Sequence, residues 1–291
     1  MIPFAEALVW KDILIFDGAM GTQLSERGGT PGPSANLSHP DLVRAIHAEY
    51  KDSGANIILT NTLTANRIAL EHAGLADKTR DLNEAGVRLC KEAVGDECYV
   101  CGDMSSTGRF MEPLGEYTEE QFTECFAEQA TILAGSGVDL IIIETMTDVR
   151  EAAVATRAVK TATGLPVITS IAFDPARGDF RTMMGDTVEK AVEDLIEAGA
   201  DVIGANCGTI DPVEMREVIA RMRAATSIVL SAEPNAGKPE LSRGQVTFRL
   251  SPEGFADGAL KCVEAGATLI GGCCGTTPAH IAALASRLRN R

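Results

Sequence analysis

The sequence predicts a (β/α)8 TIM barrel, an α/β fold forming a single domain over residues 1–291, and three observations carry that expectation. Eight short apolar runs recur along the chain, each followed by a stretch of helical periodicity. The runs are apolar on both faces, as strands of a parallel sheet covered by helices are, and eight such units close into a barrel; an open doubly wound sheet is the competing arrangement. Finally, the chain repeats itself: EAGADVIGANCG at 197–208 aligns without a gap with EAGATLIGGCCG at 264–275.

Taken in order, the predicted strands are 13–16, 57–59, 99–100, 140–143, 167–171, 202–203, 228–230 and 269–270. Each is short, rich in Ile, Val or Leu, and bounded by polar residues or glycine. In the repeated unit, Gly199 and Gly266 close a helix in the left-handed cap conformation, the next residues enter the barrel wall, and a cysteine emerges where the strand ends. No Pro-, Gly- or Ser-rich linker divides the chain.

Composition narrows the setting. Hydrophobic residues make up 45% and charged residues 23%, average values for a soluble globular protein, so disorder is not expected. No apolar run approaches the ~18 residues of a membrane span. The opening stretch from Met1 to Trp10 is interrupted by Glu6 and lacks a basic start or a small-residue cleavage site, so secretion is not expected and the eight cysteines are read as reduced thiols in the cytoplasm. A net charge of −15 repels polyanions, which argues against nucleic acid or an anionic membrane as partner.

The predicted strand tips carry Asp17, Asn61 with Thr62, Asp103, Glu144, Asp174, Cys207, Asn235 and the pair Cys273 and Cys274. In a barrel these tips share the C-terminal rim, where barrel enzymes place their chemistry. Three thiols on one rim suit Zn2+, which takes thiolate sulfur at ~2.3 Å and in catalytic sites keeps three protein ligands and one open position. Cys207 and Cys273 lie 66 residues apart, but strands six and eight are two places apart around the ring, so their tips converge. Buried structural cysteines or a vicinal disulfide are the alternatives. Cys90, Cys125 and Cys262 sit in helical stretches and are read as core. Cys98 and Cys101 are three apart on a strand and point to opposite faces. No histidine falls on a strand tip; His39, His47, His72 and His280 all lie in loops or helices.

Several stretches together resemble the zinc-dependent homocysteine S-methyltransferases, and most closely the homocysteine-binding domain of cobalamin-dependent methionine synthase. They are FDGAMGT at 16–22, TNTLTANR at 60–67, EPLG at 112–115, IETM at 143–146, GANCG at 204–208, PNAG at 234–237 and GGCCGTTP at 271–278. The last, with its upstream Asn-Cys, is the most specific. The resemblance implies that Cys207, Cys273 and Cys274 carry one zinc per chain, and that Asn235 is a fourth ligand that yields to the substrate thiol. It implies that Asp17 and Glu144 hold the homocysteine ammonium, while the backbone of Gly18 and Ala19 and the Thr62 side chain receive its carboxylate. From spacing alone, Asp17 and Glu144 serve equally well as helix caps or as partners of a rim arginine such as Arg67.

By the same resemblance, Asn66 stands where betaine-using relatives carry a tyrosine, which disfavours betaine. A cobalamin-ligating Asp-x-His-x-x-Gly loop is absent, so any corrinoid comes on a separate partner protein. A methylcorrinoid is the expected donor, with S-methylmethionine or S-adenosylmethionine as alternatives and a related thiol as an alternative acceptor. The segment 102–110, GDMSSTGRF, departs from the Gly-Pro-Thr-Gly form usual in the family. Two other classes stay open on the residues: a zinc hydrolase, and a subunit that only presents a thiol.

Overall fold

A computed structural model describes residues 1–9, 12–242 and 245–290. Eight strands lie parallel in one sheet: β1 (Leu14–Ile15), β2 (Ile57–Leu59), β3 (Tyr99–Met104), β4 (Leu140–Met146), β5 (Val167–Ile171), β6 (Val202–Asn206), β7 (Val229–Glu233) and β8 (Leu269–Ile270). Each pairs with its neighbour in sequence, and β8 pairs back onto β1. The parallel bridge Phe16–Ile57, flanked by Asn56 N–H to Ile15 O and Asp17 N–H to Ile57 O, closes the ring. All eight expected strands are present, and β3, β4, β6 and β7 run further toward the rim than their apolar runs imply.

The side chains sort by parity, as the two faces of a strand require. Ile15, Ile58, Val100, Ile141, Ile143, Val167, Ile203, Leu230 and Ile270 belong to the apolar layer between sheet and helices. Phe16, Ile57, Tyr99, Cys101, Leu140, Ile142, Ile168, Val202 and Leu269 form a second cluster inside the barrel, which also takes in Phe4 and Ala7. Those two residues belong to a short N-terminal helix, Phe4–Ala7, that stoppers the barrel at its N-terminal end. Phe4 meets the Tyr99 ring edge-on at 5.2 Å, and the Tyr99 hydroxyl donates to Ile2 O at 2.9 Å. Cys98 and Cys101 fall in different clusters, as their spacing requires.

Helices follow the strands on the outside, many with sequence-encoded starts. Thr118, Asp211 and Thr277 each form a reciprocal capping box with the residue three positions on. Cys90, Cys125 and Cys262 lie buried in helices. Two hairpins on the rim have no counterpart in the sequence reading: Asp174–Ala176 with Asp179–Arg181 after β5, and Glu240–Ser242 with Gln245–Thr247 after β7. Among the described residues no helix is long and apolar enough to cross a membrane.

Candidate functional site

At the rim end the inward positions turn polar. Asp103 ends the series Tyr99, Cys101, Asp103; Glu144 ends Leu140, Ile142, Glu144; Asn206 and Glu233 end β6 and β7. With Asp17, just past β1, Asp103, Glu144 and Glu233 line one cavity of about 340 Å3, and Asn206 lies behind its wall, bonded to Glu144. Its wall also includes Gly18, Ala19, Met20, Thr60, Asn61 and Thr145, and Cys207, Cys273 and Cys274.

The three thiols converge. Their sulfurs all lie within 4.8 Å of one another, and Cys207 Sγ is 3.9 Å from Cys274 Sγ. Four ligands at ~2.3 Å around a tetrahedral centre have sulfurs about 3.8 Å apart, so the trio fits one zinc ion with little adjustment. The turn carrying Cys273 and Cys274 is fixed from several sides. Cys273 N–H donates to Pro234 O (2.9 Å), Ala236 N–H to Cys274 O (2.9 Å) and Gly272 N–H to Asp17 O (3.1 Å); Thr276 Oγ1 donates to Cys273 O (2.7 Å). Gly275 is in the left-handed region at φ +77°, and a Cβ there would meet Phe248 at 2.3 Å. Cys207 itself has φ +54°, a conformation a non-glycine residue adopts at a cost. The next residue, Gly208, passes so close to Phe173 O that a Cβ would stand 2.3 Å away.

The trio's protons are unequally held. Hydrogen bonds from Cys207 and Cys273 bring the Cys274 thiol down to about 3. The same contacts, followed by burial, push Cys273 well up. The shared hydrogen bonds thus favour negative charge on Cys274, in a trio suited to a cation.

Asp17 and Glu144 are 4% and 7% exposed, so their carboxyl groups reach nothing but the cavity and its wall. Burial raises both, Glu144 to about 8, and neighbouring negative charge adds to it, from Cys274 for Glu144 and from Glu144 for Asp17. Asp17 Oδ2 accepts from Leu59 N–H at 3.1 Å, and Glu144 Oε2 from Asn206 Nδ2 at 2.7 Å. Neither is paired with Arg67, whose guanidinium is held by Glu128.

The remaining expected residues are placed less directly. Gly18 packs where a Cβ would stand 2.5 Å from Thr276 Oγ1, and Ala19 N–H donates to that same oxygen at 3.1 Å. Thr62 is fully buried behind the wall, its hydroxyl donating to Asp103 O (2.7 Å) and 2.6 Å from Thr60 Oγ1. Asn235 is wedged between the two cysteine turns; its Nδ2 donates to Gly208 O at 2.9 Å, while its buried Oδ1 has no partner. Asp174 lies outside the cavity and accepts from Thr209 N–H and Oγ1 (2.9 and 2.7 Å), which steadies the loop after Cys207.

Two cavity residues gain importance beyond the sequence reading. Asp103 Oδ1 and Glu233 Oε1 are buried with no hydrogen-bond partner, and burial, then the charge of Glu144 and Asp17, raises both groups well above the usual carboxylate range. Strand parity was the available signal: Val229, Ser231 and Glu233 alternate inward.

Comparison with known proteins decides the family. The sequence model of the family described as Homocysteine S-methyltransferase matches residues 14–288. The chain belongs to the homocysteine S-methyltransferase family. It is 31% identical over 300 residues to the methionine synthase of Mycobacterium tuberculosis (strain ATCC 25618 / H37Rv), covering 96% of this chain and 25% of that protein. It is 32% identical over 307 residues to betaine–homocysteine S-methyltransferase 1 of Danio rerio, covering 97% of this chain and 74% of the relative. The chain thus spans about a quarter of the first relative's length and about three quarters of the second's. Among solved structures, the metallated form of the homocysteine methyltransferase MmuM from Escherichia coli superposes with a TM-score of 0.78 at 25% identity, covering 98% of this chain and 99% of that one.

Proposed function

We propose that this member of the family transfers a methyl group to the sulfur of homocysteine, giving methionine, at a single zinc site formed by Cys207, Cys273 and Cys274. The observation that carries the reading is the convergence of three sulfurs within 4.8 Å on the wall of a cavity that also presents Asp17 and Glu144. A thiol group and an ammonium group on one small molecule match those two features at once.

Bound zinc supplies a positive centre that lowers the pKa of an incoming thiol, whose free value of about 8.5 leaves little thiolate at neutral pH. Asp17 and Glu144 accept hydrogen bonds from the substrate ammonium and orient the chain. The backbone at Gly18 and Ala19 faces the substrate carboxylate, with Thr62 behind it bracing the Asp103 strand end. Asn235 offers an oxygen with no other partner, as a fourth ligand that gives way to the thiol requires. In the reaction the substrate S–H proton leaves, a new S–CH3 bond forms, and the bond from methyl to its donor breaks. The cavity's part is alignment of sulfur, methyl carbon and leaving group.

For the donor, a methylcorrinoid carried by a separate protein is the first reading. It agrees with the motif likeness to methionine synthase and with a described cavity wall that has no aromatic side chain, whereas small onium groups are commonly held against aromatic faces. One observation favours S-methylmethionine or S-adenosylmethionine instead: Asp103 and Glu233 leave buried carboxyl oxygens unpartnered, and a second cationic group would answer them. The test is to supply zinc-loaded protein with homocysteine and each donor in turn and to follow methionine by mass. Methionine from methylcorrinoid protein alone supports the first reading, methionine from a sulfonium alone supports the second, and none from any donor overturns both.

A further inference from the structure

Asn206 takes no part in the chemistry above, yet from behind the cavity wall its side chain touches both Glu144 and Cys273. It is fully buried at the end of β6, one residue before Cys207. Its Oδ1 accepts from Thr145 N–H at 2.9 Å and from Ser170 Oγ at 2.8 Å. A backbone N–H can only donate, so this contact fixes the amide's orientation. Nδ2 must then face the other way, where it finds Glu144 Oε2 at 2.7 Å, Thr145 Oγ1 at 2.8 Å and Cys273 Sγ at 3.8 Å.

An amide nitrogen has two N–H groups, and here it meets three acceptors. A carboxylate is the strongest and takes one. A hydroxyl and a sulfur compete for the other. At 2.8 and 3.8 Å both stand within its reach. We infer that Asn206 is a positioning residue that ties the ammonium-holding carboxyl group of Glu144 to the Cys273 sulfur, with the Thr145 hydroxyl competing for the same N–H. The inference rests on the zinc reading of the three cysteines.

The arrangement also accounts for the local backbone. Thr145 has φ +58°, a costly value for a β-branched residue, and the Asn206 amide holds it by both its N–H and its hydroxyl. In the same amide, the N–H that reaches Cys273 Sγ orients that candidate metal ligand. Hydrogen-bonding partners of metal ligands characteristically act this way.

The test uses the full chain, with zinc affinity measured by chelator competition and the sulfur-to-metal charge-transfer band read in the cobalt(II)-substituted protein. Asn206→Ala is expected to weaken zinc about tenfold, to shift the band, and to raise KM for homocysteine more than it lowers kcat. Thr145→Val keeps the side chain's shape but removes the competing hydroxyl; it is expected to tighten zinc and to move the band in the opposite direction. A purely structural amide would lower thermal stability in the first variant and leave the band where it was. Unchanged zinc affinity and band in folded Asn206→Ala would overturn the inference. Should that variant not fold, Thr145→Val decides alone, and unchanged or weaker zinc binding overturns it. An unsubstituted chain that binds no zinc sinks the metal reading itself, which keeps the two failures apart.

Discussion

The two ends of the barrel interior are built on the same strands and could hardly differ more. At the N-terminal end, Leu140, Ile142, Ile168 and Val202 meet the stopper residues Phe4 and Ala7 in a dry apolar cluster. Two to four residues further along, β4 and β6 end in Glu144 and Asn206, and Glu144 joins Glu233, Asp17, Asp103 and three thiols around the cavity. One end lowers the free energy of folding by removing apolar surface from water. The other raises it by burying carboxyl oxygens, one each on Asp103 and Glu233, that lack partners. The lesson is that a strand's inward parity fixes direction only; what the position does depends on its height along the barrel.

The comparison can be broken most strongly at the apolar end. Leu140→Ala should cost about 2–5 kcal/mol of stability while leaving KM for homocysteine in place, checked by denaturant titration and steady-state kinetics. At the other end, Cys207→Ser should reverse that pattern: zinc content and turnover fall by more than about a hundredfold, with little change in the melting temperature of metal-free protein. Glu144→Gln should raise KM for homocysteine by about tenfold, the loss of one charge-assisted bond, with a smaller change in kcat; an unmoved KM would count against the ammonium-holding role.

Two smaller effects sharpen the contrast. Asp103→Asn removes a buried carboxyl group with an unpartnered oxygen, whose proton becomes costlier to keep as pH rises, and should stabilise metal-free protein by about 1 kcal/mol at about pH 8, seen as a higher melting temperature. Burial first, then like charge, raises Asp17, Asp103 and Glu233, and burial followed by the Cys274 charge raises Glu144 to about 8. The folded state therefore binds more protons than the unfolded one, whose carboxyl groups titrate near about 4. Stability is then greatest below about 4 as far as these groups are concerned, and falls as pH climbs through that value toward 8. Melting curves of metal-free protein at pH 6 and pH 8 check it; a higher midpoint at pH 8 contradicts the assignment.

Much of this was legible in the sequence because the relevant signals are local. Every strand announced itself as a short apolar run rich in Ile, Val or Leu, and the internal repeat delivered Cys207 and Cys274 to equivalent tips. The misses share one cause. Strand ends were read where apolarity stopped, so β7 was cut at 230 and Glu233 passed unseen, although it sits two residues before Asn235. Asn206 stood inside the GANCG motif but was overshadowed by its neighbour. Thr62 illustrates the reverse: the motif names it, yet its hydroxyl is taken up by Thr60 and Asp103, a contact that only the closed ring of strands creates. The rim hairpins carry no apolar periodicity, so nothing short of tertiary contact marks them.

The stopper at Phe4 and Ala7 bears on traffic as well as on packing. A tube sealed at its base is a blind alley, so acceptor and donor must use a single doorway, and whichever enters first occupies the deeper berth. Because the sulfur and carboxyl groups line that deeper berth, the proposed reaction requires the amino-acid acceptor to arrive ahead of the methyl donor, and initial-rate patterns with both reactants varied should be those of an ordered sequence.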